Sequence, residues 1–367
     1  LTLARKMAEE SMVLLKNRDS ILPLKPDENK IALIGPLGNN KPDMNGTWSF
    51  FADPEDPVTF LEGLQAFQTI NYAKGCELYE STEKHFSEAM EQAVAADIII
   101  LALGESAVMN GEAASRSDIG LPENQLDLVK KLKSLGKPMI ALISAGRPLV
   151  LTELEPLVDA ILITWALGTE AGNALANIVF GKSNPVGKLP ITFPRSVGQV
   201  PIHYQMKSTG RPYSGNYSEH GSERVYQSKY RDVENSPLFP FGYGLSYTRF
   251  EYSELKLSKK ELKWNEHLTV ECTLQNIGDK AGTETVQLYL FDQKASITRP
   301  LKELKAFQKV SLQPGESQKL SFEINTEMLS FFRKDMTFGP EPGDFTVYIG
   351  GDSQNLKQTN FRLLNED

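Results

Sequence analysis

The sequence predicts two domains, an α/β domain with an open, mostly parallel sheet and then an all-β sandwich. Three observations support this prediction. The length of 367 residues exceeds that of one ordinary hydrophobic core. Between residues 30 and 202, short continuous apolar runs alternate with amphipathic helices. From about residue 248 onward, the apolar residues recur with a period of two, which is typical of half-buried strands.

Residues 1–29 are predicted to be a linker that contains a leading helix. Leu3, Met7 and Leu14 fall at helical spacing and give an amphipathic pattern, so this helix requires a packing partner. The chain begins with Leu1, and no charged segment followed by an apolar stretch marks a secretory signal. We therefore expect the native N-terminus to lie upstream.

Residues 30–202 are predicted to form the α/β domain. Continuous apolar runs are typical of strands that are covered on both faces, and they occur at 31–35, 97–104, 138–146 and 159–168. The helices between them have apolar stripes, made by Phe86, Met90, Ala93 and Val94 and by Leu128, Val129, Leu132 and Leu135. Pro122 and Gly136 flank the second helix as its start and stop signals.

In the remainder of the chain, the residue pattern changes at residue 203 and again at residue 248. Residues 203–247 are predicted to be a long inter-domain loop, because the part from 203 to 236 is rich in Tyr, Ser, Gly and charge and lacks apolar periodicity. Its tyrosines and arginines favour an ordered segment. Residues 248–367 contain short alternating strands separated by turn signals, which predicts a β-sandwich of immunoglobulin or fibronectin type.

Composition and charge exclude several functions. The net charge of −8 argues against nucleic-acid or anionic-membrane partners, which select for basic surfaces. No apolar run approaches the roughly 20 residues that span a bilayer. Cys272 lies on the apolar side of an alternating strand and is predicted to be a buried thiol, far in sequence from Cys76. Four histidines without a close Cys/His cluster argue against a zinc site, and we expect neither a metal nor a cofactor.

The loops that follow the parallel strands are where a ligand is expected, outside the carboxyl ends of the strands. The loop after the second strand is long and rich in small residues, and it contains Glu105, Glu112, Arg116 and Asp118. Glu112 is flanked by glycine and alanine, so its carboxyl group can reach into a cleft without steric obstruction. Glycoside hydrolysis requires such a carboxylic acid to protonate the leaving oxygen. The alternative is a charged loop that is merely solvated.

Other chemistries have weaker support. The loop after the first strand is neither GxGxxG nor GxxxxGK[ST], which argues against dinucleotide or phosphate binding. The sequence ISAGR lacks the nucleophile-elbow pattern of a Ser/His/Asp hydrolase. Trp48 is the aromatic residue that the first loop would present to a sugar face, and the alternative is that it packs against its own loop.

An ordered series of stretches resembles the C-terminal half of family-three glycoside hydrolases, in particular β-glucosidases of the bacterial periplasmic type. The resemblance covers essentially the whole chain, and the order of the fragments makes it specific. The matching stretches include AEESMVLLKN, GEAASRSDIGLP, SAGRPL, GTEAGNALANIVFGKSNPVGKLPITFPRSVGQVP, PLFPFGYGLSYTRF, RPLKELKAFQKVSLQPGE and EPGDFTVYIGG.

The resemblance implies the architecture and the mechanism. A (β/α)8-type barrel, absent from this chain, would precede an α/β sandwich and a fibronectin-type-III-like domain, with the active site between barrel and sandwich. The nucleophile would be an aspartate of the barrel, and the matching motif assigns the acid/base role to Glu112. Hydrolysis would proceed with retention, for which the two carboxyl groups lie roughly 5–5.5 Å apart. Glu112 is expected to be exposed in this chain alone.

The same resemblance implies partners and limits. β-Glucosides or cello-oligosaccharides are the expected substrates, the missing barrel is the expected protein partner, and the location is periplasmic or extracellular. The chain alone is expected to hydrolyse nothing. Trp48 and Arg116 are the expected substrate-binding residues: Trp48 would flank the leaving-group subsite, and Arg116 would steady the Glu112 loop. Segment 203–236 is expected to run over the barrel or between the two domains.

Two rival functions remain open at this point. The first is a β-xylosidase, N-acetylglucosaminidase or other exo-β-glycosidase of the same architecture, because the contacts that select the sugar would lie mainly on the barrel. The second is a non-catalytic sugar-binding or scaffold module.

Overall fold

The computed structural model describes residues 1–78, 83–213 and 226–366. The chain folds into two compact units. The α/β unit comprises Leu1–Leu189, Phe193–Val200 and Gly244–Tyr247, and the β-sandwich unit comprises Pro190–Thr192, Pro201–Tyr243 and Thr248–Asp367.

The α/β unit contains a central sheet and six α-helices in the described part of the chain. Its strands are β1 (Val13–Asn17), β2 (Ile31–Ile34), β3 (Ile70–Ala73), β4 (Ile98–Gly104), β5 (Met139–Ser144) and β6 (Ala160–Ile163). Its helices are α1 (Thr2–Ser11), α2 (Lys41–Met44), α3 (Phe60–Gln65), α4 (Glu83–Ala95), α5 (Glu123–Lys133) and α6 (Ala171–Val179). Across all the described residues, no helix combines the length and the apolar character that crossing a bilayer requires.

The sheet is open and mostly parallel, with the spatial order β1-β6-β5-β4-β2-β3. Neighbouring strands from β3 to β6 are parallel, and β1 pairs antiparallel with β6 at one edge. The four strands predicted from apolar runs are all present. Every residue of β4 is buried, as expected for a strand with helices on both faces. This confirms the predicted α/β class.

The leading helix is shorter than its spacing predicts. Helix α1 ends at Ser11, and Leu14, which was assigned to the helix, lies instead in β1 opposite Leu162. The consecutive residues 13–15 are at most 1% exposed. A strand covered on both faces can bury three consecutive side chains, whereas a surface helix buries one stripe. Leu3 and Met7 are 69% and 64% exposed.

The helical stripes are confirmed in most positions. In α5, Leu128, Val129 and Leu132 are buried, and the chain turns at Gly136 with a φ of +67°. In α4, Ala93 is buried but Val94 is 60% exposed, contrary to the predicted stripe. One residue turns a helix by about 100°, so the next side chain after Ala93 points to solvent.

The β-sandwich unit is all-β apart from one short helix in its described residues. Its strands are β7 (Phe250–Tyr252), β8 (Lys256–Leu257), β9 (Glu261–Leu262), β10 (Leu268–Asn276), β11 (Gly282–Asp292), β12 (Glu303–Leu312), β13 (Ser317–Ile324), β14 (Phe331–Phe332), β15 (Phe338–Gly339), β16 (Gly343–Gly350) and β17 (Leu356–Leu363), and its helix is α7 (Thr326–Leu329). A four-stranded sheet contains β13, β10, β7 and β8, and a five-stranded sheet has the order β12-β11-β16-β17-β9. Buried and less buried residues alternate along β10, which confirms the period of two.

Both cysteines are buried free thiols, as predicted for Cys272. Burial raises the pKa of the Cys76 thiol to about 12 and that of the Cys272 thiol to about 11. Because the thiolate is the reactive form, neither group is suited to nucleophilic chemistry at neutral pH.

The predicted inter-domain loop contains no helix or strand among its described residues, and 214–225 lie outside them. One aromatic contact lies within the loop, and another joins the loop to a strand of the β-sandwich unit. The ring of Tyr204 stacks on Phe241 with centroids 4.2 Å apart, and its centroid lies 5.8 Å from that of Tyr289. Whether the segment also meets a barrel stays a prediction.

Candidate active site

The Glu112 loop, residues 105–122, connects the carboxyl end of β4 to α5. Glu112 is exposed, and it lies between two residues with positive φ, Gly111 at +95° and Ala113 at +58°. Such backbone angles are unusual for a residue with a side chain and are found where the surrounding structure holds a turn in place. The carboxyl group is therefore presented outward from a tight turn.

A buried carboxylate lies at the start of this loop. The side chain of Glu105 has no exposed surface, and its two oxygens each face an arginine. Arg116 Nη1 lies 2.5 Å from Oε1, and Arg147 Nε lies 3.2 Å from Oε2. A carboxylate removed from water is stable only when it is paired and hydrogen-bonded in this way.

The two arginines also bind the backbone of the loop. Arg147 Nη2 donates to the carbonyl oxygens of Met109 at 2.6 Å and Ala114 at 2.9 Å. Arg116 Nη2 donates to the Gly120 carbonyl at 3.1 Å. The Met109 and Ala114 carbonyls lie on either side of Glu112 in sequence, so one guanidinium group holds both sides of the turn.

The Trp48 loop, residues 35–59, is joined to the Glu112 loop. The Thr47 hydroxyl lies 2.5 Å from the Ala107 carbonyl oxygen and 2.9 Å from both Asn110 oxygens, so it can donate to any one of them. Asp43 Oδ1 accepts from the Ala107 N–H at 2.7 Å. A Cβ atom at Gly111 would lie 2.4 Å from Thr47 Cγ2, so only glycine permits this approach.

A cleft of about 370 Å³ opens between these loops and the ends of β5 and β6. Trp48, Gly111 and Trp165 line it together with Glu105 and Ser144. Glu112 and Arg116 do not line it, although Gly111 places Glu112 at its edge. A cleft that combines two indole rings with several polar side chains suits a ligand that has both apolar and hydroxylated surfaces.

The two tryptophans are held differently. Trp48 is 60% exposed, and its ring centroid lies 5.8 Å from that of Phe50. Trp165 is half-buried with a φ of +52°, and its Nε1–H donates to the Ser11 carbonyl at 3.1 Å. Non-glycine residues with such backbone angles cluster at ligand sites, where the surrounding structure keeps them in place.

The structure therefore brings Trp48 and the Glu112 turn together at one cleft, and it directs the Arg116 guanidinium to Glu105. Sequence reasoning missed Arg147, Thr47, Asp43 and Trp165. Arg147 directly follows the predicted strand at 138–146, which was the available signal, whereas Trp165 lies inside the apolar run at 159–168 that predicts a strand. In the described residues, no group of three His, Cys, Asp or Glu side chains could hold a metal ion.

Comparison with known proteins gives matches along most of the chain. Residues 12–247 match the model of the glycosyl hydrolase family 3 C-terminal domain, and residues 284–353 match that of the fibronectin type III-like domain. The described residues contain no closed barrel.

Curated relatives and solved structures agree with these matches. The periplasmic β-glucosidase of Salmonella typhimurium is 43% identical over 98% of this chain and 50% of its own length. A putative β-xylosidase of Formosa agariphila is 39% identical over 99% of this chain and 46% of its own length. The β-glucosidase of Listeria innocua in complex with isofagomine has a TM-score of 0.93 and 40% identity, over 99% of this chain and 50% of that one.

This chain thus spans about half the length of the relatives that it matches. The family model covers more than half of the chain, and several relatives exceed 30% identity over nearly all of it. The chain belongs to glycoside hydrolase family 3, and it carries the C-terminal domain of that family together with a fibronectin type III-like domain.

Proposed function

We propose that this chain is the C-terminal half of a retaining β-glucosidase and that Glu112 is the general acid/base. One observation carries the proposal: the exposed carboxyl group of Glu112 projects from a braced turn at the edge of a cleft lined by two tryptophans. The relative from Salmonella is named a periplasmic β-glucosidase, and matched structures of the Listeria enzyme hold glucose and laminaribiose.

The proposed reaction has two steps. In the first, an aspartate of the N-terminal barrel attacks the anomeric carbon while the Glu112 carboxyl group donates its proton to the departing glycosidic oxygen. In the second, the Glu112 carboxylate takes a proton from water, the water oxygen attacks the anomeric carbon, and the aspartate leaves. Two inversions give net retention.

The N-terminal half is required because this mechanism needs a second carboxyl group roughly 5–5.5 Å from the first. It also completes the enclosure of the sugar. A general acid is effective when its environment raises its pKa toward the working pH, and partial burial by a neighbouring domain has that effect. We therefore propose that the chain alone hydrolyses nothing.

Trp48 is proposed to contact the leaving-group part of the substrate, and Trp165 to form the opposite wall of the same subsite. Flat indole rings bind the C–H faces of sugars, and their N–H groups donate hydrogen bonds. Arg116 is proposed to steady the Glu112 loop, because its guanidinium group is already engaged with Glu105 and the Gly120 carbonyl.

A β-xylosidase is the second candidate, favoured by the 39% identity to the Formosa relative. A glucoside and a xyloside differ only in the hydroxymethyl group at the non-reducing sugar. The contacts that distinguish them are proposed to lie on the N-terminal half. Relative values of kcat/KM for the two nitrophenyl glycosides, measured on the protein that joins this chain to its own N-terminal half, would decide between these candidates.

The acid/base role is tested in a fusion of the N-terminal half of the Salmonella relative with this chain. We expect Glu112→Gln to lower kcat/KM for cellobiose by about 10²–10⁴-fold, the usual contribution of general acid catalysis. Added azide, a nucleophile that needs no base, should restore turnover of an activated aryl glucoside and give the β-glucosyl azide. Glu91→Gln, at an exposed position of α4, is the control and should leave the kinetics unchanged.

Full activity of the Glu112→Gln fusion on cellobiose would remove Glu112 from the mechanism. Hydrolysis of an aryl β-glucoside by this chain alone would contradict the requirement for a second half. Calorimetric titration of the chain with glucose and cellobiose tests the sugar-binding module, since measurable affinity without activity favours that function.

We also propose a periplasmic or extracellular location, supported by the name of the Salmonella relative. Osmotic-shock fractionation of cells that express the native gene tests this proposal. Recovery of the protein only in the cytoplasmic fraction would contradict it.

A further inference from the structure

The proposed reaction gives no role to the buried, ionisable side chain of Glu105. Its side chain is completely buried, yet it carries an ionisable group between two guanidinium groups. Burying one charged group completely and two others in part is costly, and well-packed apolar side chains at such a site are often as stable or more so. The cluster is therefore better explained by the geometry that it imposes than by stability.

That geometry converges on the turn of Glu112. Arg147 uses Nε for Glu105 and Nη2 for the carbonyls of Met109 and Ala114. The Glu105 carboxylate thus fixes the plane of the Arg147 guanidinium, and this plane fixes the carbonyls on both sides of the turn. A planar guanidinium group is suited to this role, because its donors have fixed relative directions.

We propose that Glu105 is a positioning residue for the proton donor: it orients Arg147, and Arg147 holds the Glu112 turn in the conformation that protonates the leaving group. This inference rests on the proposed function of Glu112. Without Glu105, among the described residues only the two carbonyls of the loop itself hold the guanidinium group, so the turn samples other conformations. A misplacement of about 1 Å at a reacting group lowers the rate of reaction by about 100-fold.

The effect of a misplaced Glu112 carboxyl group on kcat/KM is expected to depend on the leaving group of the substrate. A sugar or alkyl leaving group needs the proton from Glu112 as its bond to the anomeric carbon breaks. A dinitrophenolate is a stable anion and leaves without one. Since kcat/KM reports the steps up to the first irreversible one, misplacing the acid lowers it for cellobiose and spares it for dinitrophenyl glucoside.

The experiment compares Glu105→Gln with Glu170→Gln in the Salmonella fusion. Glu170 is the matched control, because it is also 3% exposed and is paired with an arginine, Arg5, but its carboxylate accepts hydrogen bonds from Arg5 and Asn173, which lie outside the Glu112 loop. For Glu105→Gln we expect kcat/KM to fall by about 10–100-fold on cellobiose and by less than about 3-fold on dinitrophenyl glucoside. Glu170→Gln should leave the ratio of the two values unchanged.

An equal loss on both substrates would assign Glu105 a purely structural role, and no loss on either would also overturn the inference. If Glu105→Gln does not fold, as judged by circular dichroism, Arg147→Lys serves instead. It keeps the positive charge beside Glu105 but cannot hold both carbonyls, and the same dependence on the leaving group is expected.

The variant Glu112→Gln separates the two proposals. If it lacks the dependence on the leaving group, the proposed function itself fails. If Glu112→Gln shows the dependence and neither Glu105→Gln nor Arg147→Lys does, only the positioning role fails.

Discussion

The side-chain amide of Gln125 pairs with both backbone groups of Gly104. The Gly104 N–H donates to Oε1 at 2.8 Å, and Nε2 donates to the Gly104 carbonyl at 2.9 Å. Gln125 lies in the first turns of α5 and has no exposed surface, and Gly104 is the last residue of β4. These two hydrogen bonds tie the start of α5 to the end of β4. They therefore fix the distance between the two ends of the Glu112 loop.

Replacing Gln125 with Leu is expected to lower the free energy of unfolding by about 1–3 kcal/mol, because two backbone groups then lose their partners in a buried site. Urea denaturation of the chain, followed by fluorescence of the tryptophans, measures the change. Gln68→Leu is the matched control. Its amide also makes two backbone bonds, to Asp27 and Asn29, but near the surface where water can replace it, and less than about 1 kcal/mol is expected. If the two variants lost equal amounts of unfolding free energy, burial of Gln125 would not be the reason for its larger contribution.

Gly104 itself cannot accept a side chain. Its φ is +135°, and a Cβ atom would lie 1.8 Å from the Ser144 carbonyl oxygen in the adjacent strand. Gly104→Ala therefore forces β4 and β5 apart at the base of the site, and we expect destabilisation of at least about 3 kcal/mol. Gly136→Ala is the control, since its Cβ would meet nothing within 4 Å and only the φ of +67° is unfavourable. That change should cost about 1–2 kcal/mol. Thermal unfolding measures the stability of both variants. Equal losses of stability would contradict this reasoning.

The fold was predictable where burial is continuous. The apolar runs that became β4 and β5 are recognisable because strands covered on both faces need no polar residues. β1 was missed because Val13 to Leu15 continue the amphipathic pattern of α1, and only its pairing with β6 distinguishes strand from helix. Local pattern carries no information about such long-range pairing.

The candidate site was predictable only in part for the same reason. Glu112 could be singled out from its loop and motif, because small neighbours and a position after a parallel strand are visible in sequence. Arg147 lies 42 residues from Glu105, and no local pattern indicates which cation a buried carboxylate will meet. The positive φ of Trp165 depends on its tertiary surroundings and is likewise invisible in the sequence.

The two tryptophans of the cleft are expected to affect binding of the substrate rather than chemistry. In the Salmonella fusion, Trp48→Ala and Trp165→Ala should each raise KM for cello-oligosaccharides by about 3–10-fold, which corresponds to roughly 0.5–1.5 kcal/mol for an aromatic contact. The value of kcat should change little. Phe307→Ala in the β-sandwich unit is the control, because Phe307 is 65% exposed and lies outside the cleft. Unchanged KM for both tryptophan variants would remove these residues from the substrate site.

Glu170 is expected to make the stability of the α/β unit depend on pH in the acid range. Burial acts to raise the pKa of its carboxyl group, but hydrogen bonds from Arg5 and Asn173 outweigh burial, and the pKa is lowered. A carboxyl group whose pKa is lowered by folding stabilises the folded state fully above its unfolded pKa of about 4.3. This contribution is lost as the pH falls through the lower pKa of the folded state. Arg5 is 42% exposed, so solvent weakens the pair and we expect about 1–2 kcal/mol at pH 7.

The measurement is the difference in the free energy of unfolding between the wild-type chain and Glu170→Gln, taken from urea denaturation at several pH values between 7 and 3. The difference should be constant from pH 7 to about 5.5 and should shrink below about pH 4.3, because the protonated carboxyl group resembles the amide that replaces it. Glu153→Gln is the control: Glu153 is 70% exposed and paired with Lys130, and exposed pairs contribute little. A difference for Glu170→Gln that grows as the pH falls would mean that folding raises the pKa of Glu170, and the assigned balance between burial and hydrogen bonding would be wrong.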